Sequence, residues 1–256
     1  MEENMYKEQR QEAILQYVYE KKEASVKELS EMLDVSNVTI RKDLIELAKM
    51  GKVLKTHGGA TSVESILSTE TPHYQKDKTF REEKERIGKA AAKLVEEGNT
   101  VIIDSGSTPY HVVPNILDKE VMVITNDVKI AYKLALDSKA KVLVAGGYIE
   151  KSVFSLLGPT SEALFENTHA DFAFIGLDGM DIEYGASVKS FTEMPVKQAM
   201  IRNADKVAAV MDSSKLKQKM LVKFAEVEDF DYIITNEMDE EDKKAYEEKG
   251  VKVIIA

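Results

Sequence analysis

The sequence predicts an α/β protein in two parts: a small helical module closed by a hairpin, then a larger domain built on a mainly parallel sheet. Three observations lead there. Within residues 1–62, three stretches carry apolar residues at helical spacing, and a Gly-Gly pair follows between two short apolar runs. From about Phe80 onward, short apolar runs alternate with helix-length segments, the pattern of parallel strands covered on both faces. Charge is also divided. The 256 residues carry a formal net charge of -10, yet from Arg41 to His57 five cations stand against two anions. The expected division is residues 1–62 as the first domain, 63–77 as a linker and 78–256 as the second.

The first helix is expected from Tyr6 to about Lys22, with Ile14, Leu15 and Val18 on one side. Ser25-Val-Lys-Glu28 has the spacing of a capping box, in which hydroxyl and carboxylate each take the other's backbone N–H. It opens a second helix with Val26, Leu29 and Leu33 inward, stopping near Asp34 and Val35. Ser36 is placed to cap a third helix that ends near Met50, where Gly51 supplies a stop. Lys52 to Thr61 reads as two short strands around Gly58-Gly59. Val63 to about Asp77 has no clear period, hence the linker.

In the second domain the expected strands are Thr100–Asp104, Val121–Thr125, Lys141–Ala145, Phe172–Gly176, Val207–Met211, Tyr232–Thr235 and Val251–Ile255. Helices are expected from about Phe80 to Glu97, after Pro109, over Val128–Leu136, and between most later strands. Composition narrows the class. Hydrophobic residues make up 43% and charged residues 31%, ordinary for a chain that buries a core. Cysteine is absent, which removes disulfides and thiolate zinc sites and fits a reducing compartment. MEENMYKEQRQEAIL is too acidic and polar for a secretory signal, and no apolar run approaches the roughly 18 residues of a membrane span. The expectation is a cytoplasmic protein without membrane contact, cofactor or metal.

The stretch "VSNVTIRKDL" carries the first candidate site. On a helical wheel Ile40, Leu44 and Leu47 share one side, while Val38 and Lys42 point away, Thr39 lies nearby and Arg41 lies toward the flank. Ser36 and Asn37 stand at the helix start. An apolar back with a hydrogen-bonding, cationic front is the layout of a helix that enters the DNA major groove. There Val38 suits a thymine methyl, and Arg41 or Lys42 suits guanine or phosphate. Two short helices joined by a tight turn form a helix-turn-helix. The hairpin adds Lys55 and His57 beside two glycines, as a wing that lies along the backbone or in the minor groove. A basic helix face alone is usually only solvated; the joint pattern makes DNA the preferred partner.

The second candidate site is the loop in "VIIDSGSTPYHVV". A turn of small residues between strand and helix leaves backbone N–H groups to meet an anion, and Ser105, Ser107 and Thr108 add hydroxyls, so a phosphate is the fitting group. The loop lacks both the Walker and the Gly-x-Gly-x-x-Gly spacings. Similar loops follow other strands: Thr125-Asn126-Asp127, Ala145-Gly-Gly147, Gly176-Leu-Asp178-Gly179 and Asp212-Ser-Ser-Lys215. Ligands gather at strand carboxyl ends in parallel sheets, so these loops are expected to share one pocket. Glu193 and Lys197 sit four apart on an expected helix, either as a helical ion pair or as residues facing that pocket.

"VSNVTIRKDLIELAKMGKVLKTHGGA" resembles the N-terminal domain of DeoR-type bacterial transcription regulators, with Lys42 where a second Arg is common. The resemblance places DNA contacts on Ser36, Thr39, Arg41 and Lys42. It extends through the second half, where the family's Asp-x-Gly-Thr-Thr loop appears as Asp104-Ser-Gly-Ser-Thr108, followed in order by the Thr-Asn, Gly-Gly, Gly-x-Asp-Gly and Asp-Ser-Ser-Lys elements. It implies a second domain similar to ribose-5-phosphate isomerase that binds a phosphorylated sugar without converting it. The effector-binding candidates are Asp104, Gly106, Ser107, Thr108, Asn126, Gly147, Asp178, Glu193, Lys197 and Lys215. The implied protein is a homo-oligomeric repressor of a carbohydrate-utilisation operon. Two readings compete with it. One is a sugar-phosphate isomerase using Glu193 as base and Lys197 or Lys215 as electrophile beside Asp178, since such proton shuttling needs a carboxylate and a cation. The other is a DNA-binding module with a purely structural second domain.

Overall fold

A computed structural model describes residues 7–21, 23–50, 52–56, 58–62, 79–151 and 153–256. The chain divides into two compact units, Met1–Thr69 and Glu70–Ala256. The expected linker, His57 and Gly51 lie outside the described residues.

The first unit runs α1 (Lys7–Lys21), β1 (Glu23–Ser25), α2 (Val26–Leu33), α3 (Asn37–Lys49), β2 (Val53–Lys55) and β3 (Gly59–Ser62). Its core is made by Ile14 and Val18 of α1, Leu29 of α2, and Ile40, Leu44 and Leu47 of α3. The capping box is complete: Ser25 N donates to Glu28 Oε2 at 2.8 Å and Glu28 N to Ser25 Oγ at 3.1 Å. Asp34 ends α2 in the left-handed region at φ 49°. Ser36 then caps α3, accepting from Thr39 N at 3.2 Å. Two features went unread in the sequence. β1 adds a third strand, giving the antiparallel order β1-β3-β2 with Ser25 opposite Gly59. Asp43, an anion amid the basic stretch, is buried and takes Arg10 Nε at 2.6 Å, tying α3 to α1.

The second unit is built on seven parallel strands: β4 (Thr100–Ile103), β5 (Met122–Thr125), β6 (Lys141–Val144), β9 (Ala170–Ile175), β12 (Ala204–Val210), β14 (Tyr232–Thr235) and β15 (Lys252–Ile255). Their order is β15-β14-β12-β9-β4-β5-β6. Alternate residues bury into opposite layers; Ile102 of β4 joins one core cluster, Val101 and Ile103 the other. Helix α4 (Arg81–Ala92) precedes β4, and α5 (Ser107–Tyr110), α6 (Val128–Asp137), α7 (Pro159–Glu166), α8 (Met194–Arg202) and α9 (Glu240–Glu248) lie between successive strands. Two small antiparallel sheets are additions to the expected pattern: β7 (Tyr148–Glu150) with β8 (Ser155–Leu157), and β10 (Gly179–Asp181), β11 (Gly185–Val188) and β13 (Val222–Ala225).

Two expected helices are shorter. The one beginning near Phe80 ends at Ala92, where Lys119 Nζ takes the carbonyls of Ala92 at 3.0 Å and Val95 at 2.5 Å. A cation near a helix C-terminus meets the negative end of the helix dipole and its last carbonyls. The helix after Pro109 is the single turn α5, followed by a 3-10 turn at Val113–Asn115. Pro114 has no N–H to give a continuing helix.

The strand order locates the cavity. From β4 the chain builds outward through β5 and β6, then returns to β9 on the other flank of β4 and proceeds through β12 to β15. Connections therefore leave β4 and β9 in opposite directions, and the crevice between their carboxyl ends is where such sheets take ligands.

Candidate functional site

In the first unit, α3 presents the face anticipated for it. Asn37, Arg41 and Lys42 are exposed, Thr39 is half-buried, and Val38 is 60% exposed against a buried Ile40 behind it. Ser36 holds the start of the helix, its Oγ also 2.9 Å from Thr39 Oγ1. Lys55 is exposed on β2. The turn after it is held by Thr56 N to Gly59 O at 3.0 Å and Val26 N to Gly58 O at 2.9 Å. Asp43 does not oppose this cationic face, because Arg10 holds it on the inner side.

In the second unit a cavity of about 520 Å³, counting its open mouth, sits at the switch point. The loops after β4, β9 and β12 converge on it. Gly106, Ser107 and Thr108 come from the first, Asp178 from the second, Lys215 from the third, and Glu193 and Lys197 from the start of α8. Backbone N–H groups of Gly106, Ser107 and Thr108 meet no acceptor among the described residues. Lys215 lies in a 3-10 turn capped by Asp212 and forms no ion pair among the described residues.

Lys197 differs. It is buried, and its ammonium donates to Asp104 Oδ2 at 2.5 Å and to Gly176 O at 3.0 Å, with Glu193 Oε2 at 3.7 Å. Burial alone pushes its pKa down, but the carboxylates of Asp104, Glu193 and Asp178 outweigh burial and raise it. Lys197 is thus a fixed cation that pins the loops after β4 and β9 together. The two readings of Glu193 and Lys197 coexist: they are an ion pair, and they line the cavity.

Three expected cavity residues do not line it. Asp104 lies behind the lining, where Oδ2 also accepts from Gly176 N at 3.0 Å and fixes the loop after β9. Asn126 follows β5, on the far flank of β4, and acts one layer back; its Oδ1 accepts from Ser105 N at 3.0 Å and its Nδ2 donates to Ser155 Oγ at 3.0 Å. Gly147 follows the edge strand β6, at the far side of the sheet from β9, and packs against the backbone of Leu157 at φ 128°. Loops after β5 and β6 belong to the half of the sheet that winds away from the crevice. Conversely, Val153, Val188 and Val210 line the cavity and carry no sequence signal, Gly176 stood in its loop without being singled out, and Ser105, read as a hydroxyl donor of its loop, lines the cavity too. A further buried cation supports the third loop: Lys84, in the first turn of α4, donates to Thr79 O at 2.7 Å and stands 3.8 Å from Asp212 Oδ2.

Comparison with known proteins agrees with both halves. The DeoR-like helix-turn-helix domain matches residues 10–66, and the DeoR C terminal sensor domain matches residues 79–237. The HTH-type transcriptional regulator GlpR of Haloferax volcanii is 33% identical over 248 residues, 96% of each chain. The glycerol-3-phosphate regulon repressor of Escherichia coli is 31% identical, covering 89% of this chain and 90% of its own. The HTH-type transcriptional repressor GlcR of Bacillus subtilis is 31% identical, covering 91% and 90%. Among solved structures, ribose 5-phosphate isomerase A from Methanocaldococcus jannaschii aligns at a TM-score of 0.40 and 19% identity over 55% of this chain and 56% of its own, too distant to carry an argument. These relatives are regulators and not enzymes, and with a capped helix that carries exposed cations and a cavity at the sheet's switch point, the chain belongs to the DeoR family of DNA-binding transcriptional regulators.

Proposed function

We propose that this protein is a cytoplasmic, homo-oligomeric repressor of a carbohydrate-utilisation operon, released from its operator when a phosphorylated sugar fills the second unit. One observation carries the ligand half of this reading. Three strand-end loops converge on one cavity whose Gly106–Thr108 amides have no acceptor and whose Lys215 has no ion pair among the described residues. That set suits one phosphate: amides and hydroxyls donate to its oxygens, and Lys215 supplies charge. Asp178 and Glu193 suit sugar hydroxyls, which donate to carboxylates. Relatives named as repressors, one of a glycerol-3-phosphate regulon, favour the same regulatory sense. For DNA, Asn37, Val38, Thr39, Arg41 and Lys42 read bases and phosphates, with Ser36 at the helix start and Lys55 on the backbone. Paired half-sites in the operator would match an oligomer of helix-turn-helix units.

The test is thermal melting of the whole protein with a panel of phosphorylated sugars, repeated with duplex DNA from upstream of the neighbouring genes. A ligand at 100 times its dissociation constant adds about 2.7 kcal/mol. Bound DNA should weaken that ligand by the same factor by which the ligand weakens DNA. A panel without any stabilising member removes the ligand half. Indifference between that duplex and heparin removes the DNA half.

A further inference from the structure

The charges around the cavity are lopsided. Three carboxylates, those of Asp104, Glu193 and Asp178, surround the single ammonium of Lys197 closely enough to act on it. Asp178 and Glu193 face the cavity, and Lys197 already holds Asp104 Oδ2, Gly176 O and Glu193. Its geometry is fixed from behind, because Asp104 also takes the amide of Gly176. Lys197 is therefore no spare partner for an incoming anion. Lys215 is the lining cation that remains, with the amides and hydroxyls of the loop after β4. The cavity thus has provision for one anionic group, and a second would have to sit beside the carboxylates of Asp178 and Glu193, with Lys197 already engaged.

We propose that the cavity selects molecules with one phosphate and an otherwise uncharged polyhydroxylated body, and that Asp178 and Glu193 are the specificity residues that exclude a second anion. This rests on the reading that a phosphorylated sugar is the ligand, and narrows it. The two carboxylates act in both directions: they accept hydroxyl protons from a neutral sugar carbon, and they repel a carboxylate or second phosphate placed there. Rejection by like charge is how a site separates ligands of nearly equal shape.

Matched pairs test it by calorimetry on the whole protein near neutral pH: glucose 6-phosphate with 6-phosphogluconate, fructose 6-phosphate with fructose 1,6-bisphosphate, and glycerol 3-phosphate with 3-phosphoglycerate. In any pair whose monophosphate binds, the doubly anionic partner should bind at least about tenfold more weakly. Glu193→Gln and Asp178→Asn should each narrow that ratio about threefold or more, because each removes one repelling charge and keeps a hydrogen-bonding group. Should Glu193→Gln fail to fold after Lys197 loses a partner, the wild-type ratio and Asp178→Asn still decide. A doubly anionic member that binds as well as its monophosphate, or a ratio unmoved by either variant, overturns the selection rule and leaves the sugar-phosphate reading intact. Failure of every compound to bind overturns both.

Discussion

At the scale of single residues, position along α3 separates an exposed front from a buried back. Arg41 is exposed on the same front as Val38, so Arg41→Ala should weaken operator binding by about 1–3 kcal/mol and relax base preference where it contacts a base. Lys55→Ala should weaken all sequences alike and reduce the salt slope by roughly one phosphate contact. Mobility-shift titrations at several salt concentrations distinguish the two; unchanged affinity for Arg41→Ala would take it off the reading face. In the second unit, Asp127 offers a pH test. It is buried and caps α6, with Oδ1 accepting from Lys129 N at 2.7 Å and Ile130 N at 3.1 Å, while Oδ2 accepts no hydrogen bond among the described residues. Burial pushes its pKa up to about 6, against the pull of Lys129 and the two amides. The folded state therefore binds a proton more tightly than the unfolded chain, so this group's contribution to stability falls as pH rises from about 4 to about 6. The change amounts to about 3 kcal/mol. Asp127→Asn keeps the cap and removes the titration. Its stability relative to wild type should rise across that window, and parallel curves from chemical denaturation would refute the assignment.

At the scale of elements, the wing sheet depends on a close approach. A Cβ on Gly59 would collide with the backbone of Ala24 and Ser25, because β3 runs directly beside β1. Gly59→Ala should force these strands apart, destabilising the first unit by about 1–3 kcal/mol and weakening DNA binding, as melting and mobility shifts would report. The sequence could not have indicated this. β1 has three residues, too few to show alternation, and its partner lies 34 or more positions away, from Ser25 to Gly59. Elements with local signals were legible: the α2 capping box, the Ser36 cap of α3, and apolar runs such as Val101–Ile103. Short strands such as β7 and β10, of three residues each, were not, for the same reason as β1. The site was legible in its loops but not in its layers. Which loops meet depends on strand order, and the loops after β5 and β6 look the same in sequence as those after β4 and β9. The grip of Asp104 on Lys197 joins residues 93 positions apart, beyond the reach of any local pattern.

At the scale of the molecule, the two units differ in how far apart in sequence their partners lie. The first closes on itself within about sixty residues. The second must join β4 to β9, and Thr100 and Asp171, which bond at the edge of that pairing, are 71 positions apart. This has a consequence for synthesis. As the chain leaves the ribosome, the first unit has all its partners early, whereas one flank of β4 stays bare until β9 emerges. Domains generally fold as units, the N-terminal one first. Nascent chains arrested shortly before Ala170 should therefore resist protease through residues 7–62 and be cut readily between β4 and β6. Such half-made chains expose one bare flank of a central strand, so the interval between translating β4 and β9 is when this protein is most prone to aggregate and most in need of a chaperone.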